Sequence, residues 1–178
     1  MSLYIFRIFI VAAAIFLDQW SKNLIVASFS EYERLNIFSF LDLTLIFNKG
    51  IAFSLFDYQS GLQTLPLIAV SLLAILFFIF LLIKNTWSKT EEFGILLIIG
   101  GAIGNLMDRI MQGAVTDFIL FYYERRFIDI DGLDAIRHFY FPAFNLADSF
   151  ITVGILVLLV AEFFKKKKIN KRLKILEK

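Results

Sequence analysis

The sequence predicts an all-α membrane protein with four transmembrane helices. Three observations carry this expectation. Hydrophobic residues make up 59% of the 178 and charged residues 19%, against about 45–50% and about 25% in soluble globular domains. Four segments hold the roughly 20 mostly apolar residues needed to cross about 30 Å of hydrocarbon. The tail 165–178 follows the last of them directly and carries eight Lys/Arg and one Glu, as a cytoplasmic flank near anionic lipid does. A basic tail also suits nucleic acid, but its place after an apolar span favours the membrane, and no nucleic-acid partner is expected. An aromatic share of 17%, with 22 Phe, excludes disorder.

The first span is expected at 4–27, with Asp18 and Lys22 toward its far end. Its apolar start and alanines superficially suit a cleaved leader. The segment runs on through Asp18-Gln-Trp-Ser-Lys22 to Ala27, so a retained span is expected. The second span, 62–83, is free of charge. The third, 93–111, ends on Asp108 and Arg109. The fourth, 141–164, places Asp148 about six residues in, and Pro142 in a first turn where its missing N–H costs nothing. Residues 1–164 then form one domain, and 165–178 a basic cytoplasmic tail. Four spans put both termini on one side. Eleven Lys/Arg fall on that side and seven on the other, so both termini are expected in the cytoplasm. The long connections face outward, and alternation over Leu41-Asp-Leu-Thr-Leu-Ile-Phe47 predicts a strand at the membrane surface.

The charges inside this frame are costly, about 2.5–3.5 kcal/mol each on insertion scales, and are functional candidates. Asp18, Lys22, Asp108, Arg109, Asp117 and Asp148 all fall near the outer ends of spans or just beyond, with Asn48, Asn105 and Asn145 at the same level. Asp18 and Lys22, spaced i,i+4, suit a structural pair. Asp148 is the only charge from Phe139 to Ala161 and needs a buried partner, for which Arg109 or Lys22 would serve. Gly100-Gly-Ala-Ile-Gly104 suits close helix packing, and Asn48-Lys-Gly50 a tight turn. The chain has no Cys and one His, His138. That leaves no thiolate or His-rich metal site, no Cys nucleophile and little basis for a Ser-His-Asp triad. No metal and no cofactor are expected.

Two carboxyls in one poorly solvated site share a proton and titrate as a pair. Asp117 and Asp148 are the candidates, with one as base and one as acid toward an attacking water. Composition and spacing stop at an acid pair with its reaction open. An ion-coupled transporter also uses intramembrane carboxylates, but near the midplane and with repeat symmetry. A noncatalytic assembly factor would use the charges as helix contacts.

At these residues the chain resembles the lipoprotein signal peptidase (signal peptidase II) family of membrane aspartyl proteases. Four blocks carry the resemblance in order: Asp18-Gln-Trp-Ser-Lys22, Asn48-Lys-Gly-Ile-Ala-Phe-Ser54, Gly100 to Arg109 running on through Gly113-Ala-Val-Thr-Asp-Phe118, and Phe141-Pro-Ala-Phe-Asn-Leu-Ala-Asp-Ser149. The resemblance implies Asp117 and Asp148 as catalytic pair. It implies that Asn48, Gly50, Asn105, Asp108, Arg109 and Asn145 bind substrate or support the site, with Asp18 and Lys22 as a structural pair. It also implies a small extracytoplasmic β-cradle and an outer loop containing a short helix. The implied substrate is a diacylglyceryl-modified prolipoprotein, cut just before its lipidated cysteine in the bacterial inner membrane. Membrane lipids are implied neighbours, and globomycin-type cyclic peptides implied inhibitors. The stretch 119–140 is longer than the family leads one to expect, and is read as a lid or an insertion.

Overall fold

The computed structural model describes residues 3–50, 64–84, 86–128 and 134–176. Four helices and four strands follow in the order α1 (Leu3–Ser28), β1 (Arg34–Phe38), β2 (Leu41–Asn48), α2 (Thr64–Lys84), α3 (Lys89–Gln112), β3 (Val115–Ile128), β4 (Asp134–Tyr140) and α4 (Leu146–Leu176). All four helices are long and apolar enough to span a membrane. The Gly50-to-Thr64 connection lies largely outside the described residues. The short outer helix is not among the described elements.

Helix α3 is the axis of the bundle. Ile95 to Gly101 are all buried, whereas α2 buries only Ile75. Large apolar side chains of α1, α2 and α4, such as Phe9, Phe80 and Leu159, are exposed on the protein surface, as lipid-facing positions must be. Glycine lets the neighbours approach. A Cβ at Gly100 would stand 2.7 Å from that of Ala14 in α1, and one at Gly101 would fall on the Ala147 carbonyl of α4. Close contact of this kind replaces the hydrophobic drive that lipid removes.

One end of the bundle gathers the C-termini of α1 and α3 and the N-termini of α2 and α4, and the sheet joins this end. Its strands run antiparallel in the order β1-β2-β3-β4. The strand expected over 41–47 is β2. Ile25 of α1, Leu45 and Phe118 form a small core between helix and sheet. At the opposite end, Arg7 pairs with Glu92 at 2.6 Å and Lys165 with Glu91 at 3.7 Å, tying α1 and α4 to the start of α3. Ser88 and Glu91 close a capping box there.

One expectation is corrected. The fourth helix starts at Leu146, not 141, and Pro142 precedes it in irregular chain. The reason is local: Asn145 accepts the Asp148 N–H at 3.0 Å and gives its own N–H to the Asp148 carboxylate at 3.3 Å, while Phe144 bridges Ile119 of β3. Asp148 therefore sits in the first helical turn rather than six residues in. Within the stretch 119–140, read from the sequence as a lid or an insertion, β3 and β4 pair from Tyr122↔Tyr140 to Ile128↔Asp134 as a two-stranded ribbon. Helix α4 also continues unbroken into the basic segment as far as Leu176.

Candidate active site

The site is built where α1, α3, β3 and the start of α4 meet. Gly113, at φ 75°, ends α3 in the left-handed conformation that glycine adopts without strain. The chain turns there directly into β3, which carries Asp117, 2% exposed. Register sets Asp117 opposite Ile46 and Val115 opposite Asn48 of β2. Asp148 reaches the same place from the α4 N-terminus.

Amides connect the two carboxyls. Asn145 donates through Nδ2 to Asp117 Oδ1 at 2.8 Å and to Asn105 Oδ1 at 3.1 Å. Asn105 donates through Nδ2 to Asp148 Oδ1 at 2.7 Å. Asn48 donates to Asp117 Oδ2 at 2.8 Å, and its own oxygen accepts the Gly50 N–H at 2.8 Å. That turn puts Gly50 at φ 89°, a conformation for which glycine is suited. It fixes which end of the Asn48 amide faces Asp117.

Beneath this layer lies a buried ionic cluster. Lys22 Nζ donates to Asp18 at 2.8 Å, to Asn105 Oδ1 at 3.0 Å and to Asp108 at 3.1 Å. Asp18, fully buried, also accepts the Ala147 N–H at 2.9 Å and so helps cap α4, where a negative charge is favoured. Asp108 accepts the Thr116 N–H at 2.9 Å and Gln19 Nε2 at 2.8 Å, joining α3 to β3 and α1. The adjacent Arg109 points elsewhere, toward the Asn105 carbonyl at 3.4 Å. It lies within electrostatic range of Asp148, Asp117 and Asp108. The hydrogen-bond partners of Asp148 are the amides of Asn105 and Asn145, rather than Arg109 or Lys22.

The ten residues singled out in the sequence thus fall in or beside two adjoining layers, with Arg109 turned toward the Asn105 carbonyl. Sequence reasoning missed Gln19 and the backbone donors of Thr116 and Ala147. Gln19 was legible in principle, because it shares a helix face with Lys22 at i,i+3. The two backbone donors had no side-chain signature.

Burial is the main cause that pushes Asp117 from its ordinary 3.8 up to about 6. The Asp148 charge pushes the same way, while the Asn48 and Asn145 donors and the Lys22 charge oppose it. A carboxyl held there beside a second one suits proton transfer near neutral pH. A cleft of about 400 Å³ opens beside Asp117, walled by Tyr32, Phe47, Asn48, Lys49 and Pro142 among others. Another of about 400 Å³ opens beside Asp148, walled by Phe144, Ser149, Thr152 and Val153.

The family profile described as Signal peptidase (SPase) II matches residues 10–164. The lipoprotein signal peptidase of Neisseria meningitidis serogroup C (strain 053442) is 39% identical over 143 residues, covering 80% of this chain and 79% of its own length. That of Francisella tularensis subsp. mediasiatica is 38% identical over 167 residues, 93% of each chain. A bacterial membrane enzyme solved by the in meso method at 2.3 Å resolution superposes with a TM-score of 0.72, at 26% identity over 91% of this chain and 90% of its own. With a profile match over most of its length and relatives of this identity, the chain belongs to the signal peptidase II family, a family of membrane peptidases.

Proposed function

We propose that this protein is an aspartic endopeptidase of the bacterial inner membrane. It removes the signal peptide from diacylglyceryl-modified prolipoproteins, cutting just before the lipidated cysteine. The observation that carries the reading is the Asn145 bridge, through which one amide binds Asp117 while its own backbone N–H binds Asp148. Asp117 and Asp148 share one proton. The ionised member takes a proton from water as the oxygen bonds to the scissile carbonyl carbon. The protonated member then gives its proton to the leaving nitrogen as the C–N bond breaks. No covalent intermediate forms, in keeping with a chain that has no Cys.

The two clefts suit a substrate that is half peptide and half lipid. The one beside Asp117 carries Asn48 and Lys49 and suits peptide. The one beside Asp148 is lined largely by apolar surface, with Phe144 and Val153, and suits an acyl chain. Globomycin-type cyclic peptides compete for the same site. The sheet end of the bundle faces outward, and both termini lie in the cytoplasm.

The test is cleavage of a diacylglyceryl-modified prolipoprotein by detergent-purified protein beside Asp117→Asn and Asp148→Asn variants. Wild type cuts before the lipidated cysteine, and each variant loses at least about 10³-fold in kcat while remaining folded. Absence of cleavage by folded wild type removes the peptidase reading. Cleavage surviving in one variant removes that aspartate from the mechanism.

A further inference from the structure

We propose that Lys22 is a positioning residue of the dyad. Acting through the amide of Asn105, it holds Asp148 as the ionised partner and leaves the shared proton on Asp117. The inference rests on the dyad proposed above.

An ammonium donates three hydrogen bonds and accepts none. Lys22 is 3% exposed, and its contacts are Asp18, Asp108 and Asn105 Oδ1. An amide can present either end, and its neighbours decide which. A donor-only neighbour demands the oxygen. The Asn105 NH2 then faces Asp148 Oδ1 at 2.7 Å. Turned round, Asn105 would set its oxygen against Asp148, an arrangement that only a protonated Asp148 tolerates. It would also set its NH2 against both Lys22 and Asn145 Nδ2. The bond from Lys22 further polarises the amide and strengthens the N–H that Asp148 receives.

The direct charge of Lys22 is a weaker route. It is held between the carboxylates of Asp18 and Asp108, which offset its field. The other charged groups around Asp148 are Asp117 from β3 and Arg109 from α3, and neither touches Asn105 Oδ1. Lys22 is thus the charged group that can set the amide.

The experiment is the pH profile of kcat/KM for wild type, Lys22→Met, Asn105→Ala and the double variant, on a lipid-modified prolipoprotein in detergent. Lys22→Met moves the acid limb upward by about one pH unit, a tenfold loss of rate on that limb, with kcat affected more than KM. Asn105→Ala moves it the same way, and Lys22→Met adds nothing further in the Asn105→Ala background. An unmoved limb in Lys22→Met protein with the wild-type unfolding midpoint overturns the proposal. Additive shifts in the double variant overturn the route through Asn105. If Lys22→Met does not fold, Asn105→Ala decides: an unmoved limb there overturns the proposal, and a shifted one supports it. Asp117→Asn and Asp148→Asn run alongside. Residual cleavage in either removes the dyad itself, whereas two inactive variants beside an unmoved Lys22→Met limb remove only the positioning role.

Discussion

Asp117 is the residue whose environment is most at odds with its chemistry. Raising a buried carboxyl from 3.8 to about 6 corresponds to roughly 3 kcal/mol of disfavoured charge. The folded protein therefore holds a proton that the unfolded chain releases between about pH 4 and 6. The contribution to stability is complete below 3.8 and lost as pH rises through about 6. Asp117→Asn removes the charge but leaves one donor, from Asn48 or Asn145, facing its new NH2, at about 1–2 kcal/mol. Above pH 7 the variant gains a net stability of about 1–2 kcal/mol, and the gain disappears below pH 4. Unfolding midpoints in detergent from pH 4 to 8 check this, and a difference that does not change with pH would refute it. Wild-type kcat/KM falls on its alkaline side with an apparent ionisation near 6, where the pair loses its shared proton, and an alkaline limb more than a unit away would count against the dyad's environment as described.

At the scale of elements, two contacts of α3 separate stability from activity. The Ser88–Glu91 capping box lies at the end remote from the site. Ser88→Ala costs about 1 kcal/mol, lowers the unfolding midpoint and leaves kcat within about twofold. A selective loss of kcat would show that this end communicates with the site. Gly101 lies against the Ala147 carbonyl and within reach of Ile151. Gly101→Ala forces α3 and α4 apart next to the Ala147–Asp18 bond, costing about 1–3 kcal/mol and more than tenfold in kcat. Cleavage within twofold of wild type would show that the interface yields without moving Asp148. The α4 start illustrates why boundaries were less legible than elements. By local chemistry Pro142 suits a first helical turn, yet it lies four residues before α4. A cap by Asn145, supported by Asp18 from another helix, sets the boundary instead.

For the whole molecule, the proposed orientation rests on charge: the basic continuation of α4 and the Arg7 end lie together, and the sheet end lies opposite. With no native Cys, single substitutions report this cleanly. Glu31→Cys protein should react with a membrane-impermeant maleimide in spheroplasts. Thr86→Cys protein, exposed in the α2–α3 connection, should react only after lysis. The reverse pattern would invert the assigned orientation.

Four spans, a surface strand and a layer of charges near one face were legible in the sequence alone. Each is a matter of local composition: an apolar run long enough for hydrocarbon, a period-two alternation, a charge too costly to bury without a role. Which atoms meet was decided by tertiary structure. Asp18 and Lys22 pair along one helix, but Asn105, Asn145 and the two carboxyls come from α3, the α4 cap and β3. Their hydrogen bonds span 28 and 43 positions in the chain. The β3–β4 ribbon was illegible because its pairing depends on the register between two strands rather than on composition. Hydrogen bonds act over about 3 Å, so only packing determines which of the buried polar groups become a site.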